Sequence, residues 1–208
     1  MNFFIRLAFY CIGLFIMTFG VCMTIKADLG AGAWDALNVA LTDHLGLSIG
    51  RWVMIDGAIL VFINALLVKR RPDFLSFLTI IVIGFMVDFW MYMIFESWQI
   101  QPFITKLITL ISGILIIGMG ISCYLQAKFP QSPIDNFMLA LKERFHISLG
   151  MAKTIGELTA FIPALLLKGP IGIGTIIITF AIGPSIQLFF PFFDKFMRNL
   201  QAKYMKLT

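Results

Sequence analysis

The chain has 208 residues, of which 60% are hydrophobic and 13% charged, and its mean hydropathy is +0.94. That balance excludes a water-soluble globule, and 22 Phe with so little charge exclude a disordered chain. The net charge of +5 gives no reason to expect nucleic-acid binding, because in a bilayer protein the placement of basic residues matters more than their sum.

The first apolar run, Leu7 to Ile25, follows Arg6 and precedes Ala31, Gly32 and Ala33, a pattern that secretory signals share. It is longer than the roughly 7–15 residues of a signal core, so it reads as a mature span. Crossing a hydrocarbon core takes about 20 apolar residues. The chain offers six such stretches, at 4–25, 50–68, 74–95, 103–125, 150–168 and 173–193. Two connections, Lys69–Pro72 and Lys168–Pro170, are short and suit tight turns between antiparallel helices.

The gaps at 26–49 and 126–149 each hold a helical pattern too short to span, Trp34 to Leu45 and Ile134 to Phe145, which predicts interfacial or re-entrant helices. In the first, Asp35, Asn38 and Thr42 form one polar stripe. The second opens with Ser132 as N-cap, Pro133 at the first helical position and Asp135 placed to reach back to the cap amide. Ser48 and Ser148, each two residues before a glycine, read first as N-caps of the next span and second as ligands.

The two halves repeat. Sliding 3–67 onto 103–167 gives 14 identities without a gap, including Gly13, Gly20, Asp35, Ser48 and Gly50, where this composition gives roughly five by chance. After one deletion the match resumes, with Gly84 and Asp88 against Gly183 and Gln187. Each copy has three spans, an odd number, so the second copy enters the membrane upside down. The expected fold is an all-α membrane protein forming one domain over 1–208. It contains inverted repeats at 3–98 and 103–193, each with a short re-entrant or interfacial helix, and a cytoplasmic tail at 194–208. Twelve Lys and Arg, from Arg6 and Lys69 through Lys128, Lys153 and Lys195 to Lys203 and Lys206, fall on one side, against Lys26, Arg51, Lys106 and Lys168 on the other. This bias predicts both termini in the cytoplasm of a bacterial cell membrane.

Ionisable groups at membrane depth are functional candidates. The candidate solute-binding set is Asp35, Asp135, Asp56, Asp88, Glu157, Gln187, Trp34, Asn38, Ser48 and Ser148. For Asp56, Asp88 and Glu157 the alternative is a helix-to-helix contact, and Lys153 one turn before Glu157 offers an internal ion pair. Asp35 and Asp135 divide evenly between capping and ligand binding, and Trp34 between a pocket and an interfacial anchor. Gly13, Gly20, Gly113 and Gly120 read as close-packing sites, and Pro163 and Pro184 as kinks.

Cys11, Cys22 and Cys123 have neither metal nor disulfide spacing, and no cofactor is expected. No HExxH, Walker or GxSxG element is present, so an enzyme is not expected. The architecture points to a secondary transporter moving a small solute by alternating access at the repeat interface, with H+ or Na+ as coupling ion. The alternative is a membrane-embedded regulatory or interaction protein without transport. Solute, direction and homo-oligomeric state are not encoded in any motif here.

Two stretches carry a family likeness: Ala27–Gly30 through Trp34, Asp35 and Leu47–Gly50, and Gly172–Thr175 through Ile182, Gly183 and Pro184. They resemble the YitT/YczE-type bacterial integral membrane proteins, with their G-x-x-P-W-D and G-T-(apolar run)-G-P elements, over nearly the whole chain. Ala33 departs from the family's proline, which the second copy keeps as Pro133. The resemblance implies a multi-spanning plasma-membrane protein of the short, membrane-only form, and supplies no substrate.

Overall fold

A computed structural model describes residues 3–205, with side chains described to Leu200. Lys206 and the Lys203 side chain, both used in the charge bias, lie outside the described residues. Eight α-helices and no strand occur among them: α1 (Phe3–Lys26), α2 (Ala33–Leu45), α3 (Ile49–Val68), α4 (Phe74–Phe89), α5 (Phe103–Leu125), α6 (Pro133–Phe145), α7 (Leu149–Leu166) and α8 (Ile173–Met205). A π-helical turn, Trp90–Ile94, prolongs α4. Six helices, α1, α3, α4 with its π turn, α5, α7 and α8, are long and apolar enough to cross a membrane. Their outer faces carry large bare hydrophobics such as Leu66, Phe85, Ile104 and Phe180, the surface expected of a chain whose solvent is lipid.

α1 and α5 form the centre. They pack so closely that a Cβ on Gly13 would collide with the Tyr124 backbone, one on Gly120 with Met17, and one on Gly20 or Gly113 with the opposite helix. The four glycines thus act as close-packing sites, and both bundle halves are built on this contact. Ser48 and Ser148 are N-caps, accepting the Arg51 and Met151 amides. Local backbone features recur across the halves: left-handed residues stand at Asp28 and Lys128, Gly46 and His146, and Lys69 and Lys168. Arg6 donates to the Ala127 and Lys128 carbonyls, and Lys106, its repeat counterpart, pairs with Asp28 at 2.5 Å.

The packing of the halves then diverges. α4 lies along α3 and touches α1 lightly, whereas α8 lies along α5 and scarcely touches α7. Gly118 against Ser185, with Ser185 Oγ donating to the Ile114 carbonyl, fastens α8 to α5. α8 does not end at 193. It continues through Pro184 and Pro191 to Met205, so residues 194–205 are a helical extension and not a separate tail. A proline removes one intrahelical hydrogen bond, which a long packed helix tolerates.

Candidate functional site

A cavity of about 420 Å³ is lined by α1, α4, α5 and α8 and by the N-terminal parts of α2, α6 and α7. Its walls are largely Met, Val and Ile from α1, α4, α5 and α8, and its charged groups come from α2, α6 and α7. Asp35, Asn38 and Trp34 reach it from α2, Asp135 and Ser132 from the start of α6, and Lys153 and Glu157 from α7. Trp34 is half-buried, lines the cavity and sets its ring edge-on to Phe137.

The two repeated aspartates have different surroundings. Asp135 accepts Ser132 Oγ at 2.9 Å and Tyr124 OH at 3.1 Å, while Ser132 Oγ accepts the Asp135 amide at 3.2 Å. It therefore binds the cap hydroxyl and not the cap amide that the spacing predicted. Burial pushes its carboxyl above the usual carboxylate range, and the Ser132 and Tyr124 hydrogen bonds and Lys153 pull it back. At the matching cap position α2 has Gly32, which supplies no side chain. Among the described residues no hydrogen bond or ion pair reaches the Asp35 carboxylate. Burial, and then the charge of Glu157, raise it to about 7. Asn38 is 2% exposed, and its Oδ1 is buried without a donor.

Lys153 and Glu157 form no ion pair. Both face the cavity one turn apart, so Lys153, counted with the basic loop residues on sequence grounds, belongs to the site.

The remaining candidates lie elsewhere. Asp88 Oδ2 accepts Ser48 Oγ at 2.5 Å and Oδ1 accepts the Gly50 amide at 2.7 Å, so the carboxylate completes the N-cap of α3 and ties α4 to it. This is the helix-to-helix alternative, and it removes Asp88 and Ser48 from the cavity wall. Asp56 is half-buried on α3 with Oδ2 unpartnered, outside the cavity. Ser148 caps α7 only, and Gln187 is exposed. The physical reason for Gln187 is helix phase: Ile182 and Ile186, five residues and one residue before it, turn inward. Sequence reasoning missed Tyr124, Thr18 and Thr179, which also line the cavity. Tyr124, buried in an apolar span eleven residues before Asp135, carried a polar handle as its only signal.

A family model described as "Family of unknown function (DUF6198)" matches residues 4–191. The uncharacterized protein YyaS of Bacillus subtilis (strain 168) is 31% identical over 187 residues, which is 90% of this chain and 93% of that protein. The uncharacterized membrane protein YczE of the same organism is 32% identical over 193 residues, 88% of each chain. An uncharacterized protein of Haemophilus influenzae is 26% identical over 176 residues, 84% of this chain and 78% of that one. No solved structure matches. The YczE-type likeness read from the motifs is thereby borne out.

Proposed function

We propose a solute-carrier function from this premise: the chain belongs to the DUF6198 family of unknown function, and it is a membrane protein. Residues 3–98 and 103–193 act as inverted repeats that take turns closing the central cavity. Reciprocal contacts support the inversion. Gly13 meets Gly120 as Gly20 meets Gly113, which is the pattern a two-fold axis across antiparallel helices produces. Repeat-related pairs line the cavity, among them Met17 and Ile117, Val21 and Ile121, Asp35 and Asp135, and Val53 and Lys153.

The observation that carries the carrier reading is the unequal closure of equivalent helix pairs. Between α3 and α4 the Gly50 and Gly84 backbones touch, with a Cβ on Gly84 falling 2.5 Å from the Gly50 carbonyl, and the Ser48–Asp88 hydrogen bond locks them. Their repeat counterparts Gly150 and Gly183 stand open, where a Cβ on either would meet nothing within 4 Å. Gln187, the counterpart of Asp88, is left exposed partway along a spanning helix, where an unsatisfied amide costs several kcal/mol. In the opposite state α8 swings onto α7, Gly150 meets Gly183 and Gln187 bonds the Ser148 cap, while α4 leaves α3.

With both termini cytoplasmic, as the basic residues suggest, the state described here opens inward. One of the cavity carboxylates is the site for a coupling ion.

Disulfide trapping tests this in a chain lacking Cys11, Cys22 and Cys123. The pairs Ser48→Cys with Asp88→Cys and Ser148→Cys with Gln187→Cys are both expected to oxidise in membranes. If only the first pair forms, the cavity closes on one side alone and the chain is a static membrane protein of the regulatory or interaction kind.

A further inference from the structure

We propose that the cavity takes a small organic monocation, an ammonium or guanidinium head on an apolar body, held by the Asp35 and Glu157 carboxylates and the Asn38 carbonyl in exchange for a proton. This deepens the carrier reading and rests on it.

The two ends of the cavity differ in what they lack. Asp135 is supplied with donors by Ser132 and Tyr124, and Lys153 of α7 lies near both Asp135 and Glu157. At the other end Asp35 and Asn38 share one face of α2, and α2 packs on α7, which carries Glu157. No described residue donates to either carboxylate, and Asn38 Oδ1 is a buried acceptor without a donor. Buried polar groups are nearly always paired, so the unpartnered Asn38 Oδ1, with the half-buried Asp35 and Glu157 carboxylates facing the same cavity, describes a place that a donor-rich, positively charged group completes. An anion would meet like charge there, and a neutral solute would gain nothing from the carboxylates' charge.

A bare metal ion fits less well. Among the described residues no group of three or more His, Cys, Asp or Glu side chains could hold one, and most of the wall is apolar. Met17, Val21, Ile117 and Ile121 instead offer a bed for a hydrocarbon body.

The proton follows from charge balance. Asp35 is faced by Glu157 and Lys153 from α7, Asp135 from α6 and Cys22 from α1, while Val53 of α3 and Thr179 of α8 bring no charge. Near neutral pH the empty cavity keeps a proton on the Asp35 carboxyl, which titrates at about 7. An entering cation replaces that proton, which leaves to water on the open side, so the cavity's net charge is unchanged.

Three probes with one phenyl body test the assignment on the purified full-length protein: benzylammonium, phenylacetate and benzyl alcohol. Benzylammonium alone is expected to raise the Tm. Its affinity should weaken by about tenfold for each pH unit below about pH 7 and level off above it, with about one proton released per cation bound on the acid side. Asp35→Asn should weaken binding by about tenfold or more and flatten the pH profile, and Asn38→Leu should weaken it as well. Asp56→Asn, outside the cavity, should leave both unchanged. Stabilisation by phenylacetate, equal stabilisation by all three probes or by none, or an Asp35→Asn variant that still binds with the same pH slope overturns the cation assignment. That failure is separable from failure of the carrier reading: both disulfide pairs forming without a benzylammonium response sinks the cation alone, and only one pair forming sinks the carrier.

Discussion

Asp35 and Asp135 are the same residue at the same place in two copies of one module, yet one is hydrogen-bonded and the other bare. The cause is the residue three positions earlier: Ser132 caps α6 and binds Asp135, and Gly32 can do neither for Asp35. The sequence left capping and ligand binding evenly weighted; the Asp135 carboxylate bonds its cap hydroxyl, and the Asp35 carboxylate has no hydrogen-bond partner among the described residues. A carboxyl raised to about 7 by burial and by Glu157 carries a pH signature. A group whose folded value lies above its unfolded one contributes stability fully below about pH 4 and loses it as the pH rises through about 7. Asp35→Asn is therefore expected to match the parent's stability below about pH 4 and to exceed it increasingly as the pH rises to 8, by on the order of 2 kcal/mol in thermal unfolding. A variant equally or less stable at pH 8 would show that Asp35 has a donor in the folded protein. Lys153 and Glu157 were legible as neighbours, because a four-residue spacing describes one helix face. Their joint orientation into the cavity, without an ion pair, depends on how α2 and α6 pack over α7, which no local pattern records.

At the scale of elements, the spans, both short helices and their caps were legible, since they follow from hydropathy, from Ser, Pro and Gly positions and from length. The π turn at Trp90–Ile94 was not: its aromatic cluster of Trp90 with Phe15, Phe19 and Phe95 forms only when α1 is in place. The full length of α8 was hidden by Pro191 and the charges after it. Matched glycines separate the helix pairs experimentally. Gly84→Ala drives a methyl toward the Gly50 carbonyl, and overpacking of this kind typically costs about 1–3 kcal/mol, a loss that thermal unfolding would register. Gly183→Leu faces open space, so its Tm should stay near the parent's, while the Ser148→Cys, Gln187→Cys disulfide should no longer form. A Gly183→Leu variant that still forms that disulfide would contradict the proposed approach of α8 to α7.

The repeat was legible at the scale of the whole molecule because it rests on identities 100 residues apart, and positive-φ residues recur at the matched positions Asp28 and Lys128 and, after the deletion, Lys69 and Lys168. Which half is closed was not legible, since the shared glycine and cap pattern is the same in either state. The distinction lies in which helix each outer span leans on: α3 for α4, α5 for α8. Inversion has its own check: single cysteines at Gly30 and Pro130 should label from opposite faces of the membrane, and labelling of both from one face would refute it. Alternate exposure of one cavity is tested most directly by side-resolved labelling of a cysteine at the cavity-lining Met138 with a membrane-impermeant thiol reagent. The parent background is expected to label from the side that holds the termini, and Asp88→Ala, which frees α4 from the Ser48 and Gly50 lock, from the opposite side. Labelling from the same side in both would contradict the account.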